Sequence, residues 1–535
     1  MARGFDAVIV GAGHNGLVCG AYLAKAGLRV CVLEKRPVIG GAAATEELWP
    51  GYRVSTASYI MGLLQPRIIL DLELARFGYE IIAPTPLVQP FPDGRHIVFW
   101  PDPGRLGAEF AKFSARDAEV FPEYRRHMMR LGALVQRLLW ETPFELKLHR
   151  PQDLYGLLRF MWRYRDAVGD FPEIWRLLTM SAFDYLQRWF TSEAVKLAIG
   201  FYAAGGGGQR ASMKTPGTAF MLARSYIRNN DTPAGGTGFV RGGMGGISEA
   251  IAASGRSHGL EVRTGATVVA IRVKAGRAAG VVLESGEEID APLVIANASA
   301  RTTFLELIEP AALPPRFLSD LRKLRARSTG FKVHLAMDRL PAYRTFDAAS
   351  LGFSYPTQVR LAPDIDYMEA AFAEAESGSN ARRPYLTIMV QSVVDPGMAP
   401  PGKHVIGIYG GHAVSEAAPG DQDRLRTEML ERVLAVFGEY ATDVTEPILH
   451  GQTLMPWDFE RIFGLPGGHV HHFDMSADQM FWMRPAPGYA RYRSPIRGLY
   501  MCGASVHPGG GVTGVPGHNA AQAVLGDMKR GVPRP

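Results

Sequence analysis

Apolar runs punctuated by glycine open the chain. Phe5–Val10 (FDAVIV) reads as a buried strand, and the turn GAGHNG at Gly11–Gly16 ends it. Leu17–Ala26 repeats apolar residues at helical spacing, Gly27 is a stop signal, and Leu28–Leu33 is a second apolar strand closed by Glu34. Strand, glycine turn, helix and strand within about 30 residues make one βαβ unit.

The rhythm then changes several times. Residues 71–100 are rich in Pro and Gly, with a short strand at His96–Trp100. From Pro103 to Arg228 the spacing is helical, clearest over Glu119–Trp140 and Pro151–Tyr164, and the glycine run Gly205–Gly208 predicts a loop. Gly246–Ser254 predicts a helix. Glu261–Leu283 alternates like strands around a turn at Ala275–Arg277, Gly286–Glu288 is a further turn, and Pro292–Asn297 is an apolar strand. Strands are expected at Gly330–Met337, Tyr385–Val393, His404–Gly410 and Gly498–Gly503, and a last helix over Gly517–Lys529.

Composition narrows the class. At 535 residues the chain is too long for one simple core, and 47% hydrophobic with 21% charged residues is ordinary for a globular protein. It has no apolar run of the roughly 18 residues that a membrane span requires. The apolar start lacks a small-residue cleavage site, so a cytoplasmic location without a signal peptide is expected. Cys19, Cys31 and Cys502 form no C-x-x-C pair, which argues against a dithiol centre and a structural zinc site. The net charge of +6 is modest, and without a nucleic-acid-binding signature it gives no reason to expect such a partner.

Three segments carry chemistry. In G-x-G-x-x-G, Gly11 permits the tight turn, Gly13 lets backbone N–H groups approach a pyrophosphate, and Gly16 allows close helix–strand packing. The helix N-terminus adds free donors and a positive dipole end, and Glu34 can accept from a ribose hydroxyl. The fingerprint serves NAD and FAD alike. A second glycine pair, Gly40–Gly41 in EKRPVIGGAAATEE, lets the chain pass close to a longer, extended ligand. Near the end, LYMCGASVHPGGGVTGVPGHNAAQAVL (Leu499–Leu525) is again strand, glycine turn and helix N-terminus. The middle segment runs through VRGGMGGISEAI (Val240–Ile251), RTGATVVAIRV and LVIAN.

These segments, in this order, resemble the amine-oxidase and phytoene-desaturase group of FAD proteins. The resemblance implies FAD, held at Gly11, Gly13, His14, Asn15, Gly16, Glu34, Lys35, Gly40, Gly41 and Ala42, at the backbone of Val268, and at Gly503, Ala504, Gly511, Val512 and Val515. It implies an α/β fold: a Rossmann-like FAD-binding domain of the glutathione reductase/p-hydroxybenzoate hydroxylase type with an inserted α+β substrate domain. The FAD domain would comprise 1–70, 240–305 and 490–535. The substrate domain would comprise 71–239 and 306–489, with a helical cap over about 103–230.

Catalytic candidates are few, because a flavin carries the hydride chemistry itself. His507, inside the last glycine turn, is either a proton carrier or a loop cap. In GGHVHHFDMSADQ, His469 and His471 have the spacing of a metal pair, but no convincing partner completes it, and no metal is assigned. His471 and His472 are instead read as candidates for catalysis and pocket lining, against plain packing. Tyr59 and Trp457 are pocket candidates, with ordinary core as the bland alternative. The Arg- and aromatic-rich stretch Tyr124–Arg188 suits either peripheral membrane contact or a solvated cap with its arginines paired to acids.

The expected activity is dehydrogenation of an apolar, unsaturated, isoprenoid- or carotenoid-like small molecule, with quinone or oxygen as candidate electron acceptors. The rivals are a redox-neutral cis–trans isomerase, an amine oxidase and a flavin-binding regulatory protein. The sequence specifies no oligomeric state.

Overall fold

The computed structural model describes residues 4–144, 151–203, 210–227 and 237–531. The run Gly205–Gly208 lies outside the described residues.

A five-stranded parallel sheet is assembled from three distant stretches of chain. Its order is Leu499–Met501, Leu293–Ala296, Ala7–Val10, Val30–Leu33, Glu261–Arg263. Strand Ala7–Val10 is central, paired with Val30–Leu33 on one side and Leu293–Ala296 on the other, all parallel. Its four residues are buried on both faces, as a covered parallel sheet requires. Helices His14–Lys25, Gly245–Ser257 and Val515–Lys529 pack together, the first between the other two. That position explains why His14–Lys25 is buried nearly all round instead of along one stripe. An antiparallel meander, Val268–Lys274, Arg277–Leu283 and Glu288–Asp290, joins the same apolar core.

A seven-stranded, largely antiparallel sheet forms the second body. Its order is Ile448–Leu454, Phe331–Met337, His404–Gly411, Tyr385–Met389, Gln358–Leu361, Leu87–Pro90, His96–Phe99. The helices between Pro103 and Arg224 form a cap with its own core around Phe110, Tyr124, Tyr185 and Phe201. The longest, Ala115–Leu139, is capped by Ser114, whose side chain accepts from Asp117 N–H. Asp117 is fully buried and accepts the backbone N–H groups of Thr191 and Ser192, which ties two cap helices together.

Most predicted elements are present, with shifted ends. The first helix starts at His14 instead of Leu17, so Gly16 lies within its first turn. Strand 385 stops at Met389 and passes into a tight turn over Gln391–Val393. No described helix is long and apolar enough to cross a membrane.

Candidate functional site

The two glycine pairs meet. Gly40 N–H donates to the Ala12 carbonyl at 2.8 Å, and a Cβ on Gly41 would lie 3.3 Å from the Gly13 Cα. Gly11 and Gly40 hold φ of +100° and +109°, where only glycine is unstrained. A Cβ on Gly16 would come within 2.2 Å of the Gly11 carbonyl, so the third glycine is required by helix–strand contact. The helix behind it begins at His14 with Gly13 as N-cap and no side-chain cap, which leaves its first N–H groups for an anion. Ala42, next in line, accepts from Ser58 N–H.

Glu34 is buried, and each of its oxygens takes one backbone donor: Ala12 N–H at 2.8 Å and Arg36 N–H at 3.1 Å. Each oxygen retains a lone pair for a ribose hydroxyl. The Glu34 carbonyl accepts from Ala266 N–H and the Arg36 carbonyl from Gly265 N–H, which brings the chain leading to Val268 beside this carboxylate. Lys35 is exposed. The cation turned inward is its neighbour Arg36, paired with Glu46 at 2.7 Å and lying over Phe463, with Nη1 buried and unpartnered.

The last glycine turn closes onto this start. A Cβ on Gly503 would lie 2.3 Å from the Asn297 carbonyl, and one on Gly517 would lie 2.2 Å from the Asn15 carbonyl. His14 meets the Gly511 backbone, and burial brings its pKa down to about 4. Its Nε2 and Asn15 Oδ1 are buried without partners. Gly514, with φ +72°, caps the final helix at Val515, and Val512 packs on the core.

Two buried arginines stand behind this turn. Arg224 donates to the Gly510 carbonyl and, at 3.4 Å, to His471 Nε2. Arg484, 1% exposed, donates to the carbonyls of Ala504, His471, Asp474 and Gln479. Burial lowers Arg224 to about 10; burial, then repulsion from Arg224, lowers Arg484 to about 9. Both remain cations at neutral pH, and neither belongs to an ion pair among the described residues.

The histidines divide. His471 lines a cavity of about 690 Å³. Burial and the neighbouring guanidiniums hold it neutral, and because Nε2 accepts from Arg224, Nδ1 carries the proton. His472 is bonded through Nδ1 to Ser505 Oγ at 2.9 Å, and His469 faces Asp474 while its Nδ1 accepts from His471 N–H. His469 Nε2 and His471 Nδ1 are buried without a hydrogen-bond partner. His507 Nε2 donates to the Leu138 carbonyl at 2.8 Å, and its ring stands edge-on to Phe481. It ties the turn to the long cap helix and does not line the cavity that His471 lines.

Tyr59 lines the same cavity as His471. Trp457 does not; it borders a separate cavity of about 880 Å³ whose wall mixes Arg301, Arg325 and Arg327 with Glu376, Glu416 and Glu460. The sequence reading missed Lys332. Its Nζ lies 5.4 Å from the Tyr59 ring and donates to the carbonyls of Ser55 and Ala57, and burial lowers its pKa to about 7. Lys332 and His334 alternate with apolar residues in FKVHLAM, a pattern that reads as a solvent-facing side, yet both faces of this strand are covered. Arg224 and Arg484 carried no sequence signal beyond being arginine.

A dinucleotide cradle built from three chain segments, joined to a large apolar cavity, defines a flavin-dependent oxidoreductase. Residues 9–68 match the NAD(P)-binding Rossmann-like domain and residues 181–525 match the flavin containing amine oxidoreductase family, to which the chain belongs. It is 35% identical to the rat (Rattus norvegicus) pyridine nucleotide-disulfide oxidoreductase domain-containing protein 2, over 98% of this chain and 94% of that one. Despite the relative's name, Cys19, Cys31 and Cys502 here are buried and free. It is 26% identical to phytoene desaturase of Neurospora crassa over 96% and 82% of the two chains. An oxidoreductase from Methanosarcina mazei shares the fold, with a TM-score of 0.59 at 19% identity over 98% and 99%. The cofactor is FAD.

Proposed function

We propose that the protein is a dehydrogenase of an apolar, unsaturated small molecule bound in the 690 Å³ cavity. The observation that carries this is the cavity wall. It is built largely from side chains such as Leu63, Leu87, Phe99, Phe110, Phe121 and Met129, and its described lining contains no Asp or Glu. An ammonium substrate would meet only Arg125, Arg224 and Arg360 as charges there, all of its own sign. This weighs against the amine oxidation that the family description brings to mind.

Bound FAD would supply hydride acceptance. The chain's own residues would do the rest. The Gly11–Gly16 turn and its helix would hold the pyrophosphate and Glu34 the adenosine ribose. The Gly503–Val515 turn would line the redox end, where the final helix N-terminus, Arg224 and Arg484 offer positive potential to a cofactor that gains negative charge on reduction. His471, neutral and hydrogen-bonded to Arg224, would form the wall where substrate meets cofactor.

The cap carries an exposed apolar row suited to a membrane that holds such a substrate. Leu154, Tyr155, Leu158, Met161, Trp162, Phe171 and Trp175 are exposed side by side in sequence and helical spacing. Several neighbouring arginines are paired: Arg130 with Asp170, Arg137 with Asp166 and Arg163 with Glu141. Peripheral membrane contact would therefore rest on apolar insertion more than on charge.

Anaerobic mixing of the holoprotein with phytoene in detergent micelles should bleach the flavin band, and cyclohexylamine should not. Bleaching by the amine alone would overturn the assignment. Double-bond isomerisation without net consumption of an electron acceptor would favour the redox-neutral rival.

A further inference from the structure

We propose that the substrate is an amphipathic acid, an apolar unsaturated chain whose terminal carboxylate is bound by Arg360. This rests on the cavity being the substrate site and adds the chemical class of what fills it.

Arg360 lies on strand Gln358–Leu361, where period-two alternation turns Gln358 and Arg360 to the cavity and Val359 to the core behind the sheet. The residue is 6% exposed, and its guanidinium lies among three rings, 4.2 Å from the centroid of Tyr202, 4.9 Å from Phe201 and 5.0 Å from Phe99. Its hydrogen bonding is sparse. Nη1 donates to the Ala198 carbonyl at 3.3 Å, and Nε is buried without any partner. No ion pair among the described residues includes it, although surface arginines of this chain are paired many times over.

The neighbouring strand repeats the deficit. Val88 pairs with Val359 in parallel register, which sets Gln89 beside Arg360 one step further along. Gln89 is fully buried, and neither its Oε1 nor its Nε2 has a partner. Rings stabilise a cation but satisfy none of its in-plane donors. A buried guanidinium without a counter-charge is costly, and the planar fork matches a carboxylate in two parallel hydrogen bonds. A neutral hydrocarbon would leave that cost in place. An amine would add to it.

The test is calorimetric titration of the holoprotein with farnesoic acid and with methyl farnesoate, which differ only at the head group. The acid should bind about tenfold or more tightly than the ester. Arg360→Met should bring the acid down to the affinity of the ester without moving the ester or the flavin spectrum. Arg360→Lys, which keeps the charge and loses the fork, should retain part of the preference. Equal binding of acid and ester by the unaltered protein, or a preference that survives in Arg360→Met, overturns the proposal and leaves the cavity assignment standing. Failure of both ligands to bind removes the cavity assignment, and the proposal with it.

Discussion

Four histidines sit neutral where the first and last segments join. Burial lowers His14 and His507 to about 4 and His472 to about 3, and drives His471 well below its ordinary 6.5. The folded values lie below the unfolded one. As the pH falls, the unfolded chain therefore takes up protons first, and stability drops from pH 6.5 down to about 4. His14, His472 and His507 each contribute on the order of 1–3 kcal/mol to that drop. His507→Gln keeps a donor for the Leu138 carbonyl and removes one titrating group. Its melting temperature should fall less steeply between pH 6.5 and about 4 than that of the unaltered protein. Parallel curves would show that His507 is not held neutral.

At the scale of elements, the sequence was clearest where periodicity and burial agree. Strand Ala7–Val10 and helix Ala115–Leu139 were legible because one is apolar throughout and the other repeats every three to four residues. Strand Phe331–Met337 was legible as a strand, but its buried Lys332 was not, because a sheet covered on both faces makes alternation misleading. The cap is the reverse case. Its arginine-rich text pointed equally to solvent and to membrane, and the fold paired Arg130, Arg137 and Arg163 with acids while leaving an apolar row uncovered. Trp162→Ser with Trp175→Ser should reduce co-sedimentation with phosphatidylcholine vesicles several-fold, and about 0.5 M salt should leave the unaltered protein's binding nearly intact. Binding abolished by salt and untouched by the double substitution would assign the contact to charge.

At the scale of the molecule, the cofactor cradle is a joint between three segments. Gly503 is one of its exacting points, since any Cβ there would press on the Asn297 carbonyl from the middle segment. Gly503→Val should weaken FAD binding about tenfold or more, measured as the ratio of flavin to protein, although the fingerprint glycines are untouched. Far-ultraviolet circular dichroism should stay unchanged. Full flavin occupancy in that variant would mean that the last turn does not complete the site.

The sequence alone determined the dinucleotide fingerprint, the second glycine pair, the glycine turn at the end and the FAD that they imply. These features rest on backbone geometry that only glycine supplies, and glycine is visible in a sequence as itself. Tertiary structure decided which polar side chains count. His507 became a brace, Lys35 was left in solvent while Arg36 turned inward, and Lys332, Arg224, Arg484 and Arg360 were buried. The reason is physical: an arginine's role depends on whether a carboxylate, a ring or a cavity faces it, and those neighbours are brought from more than a hundred residues away.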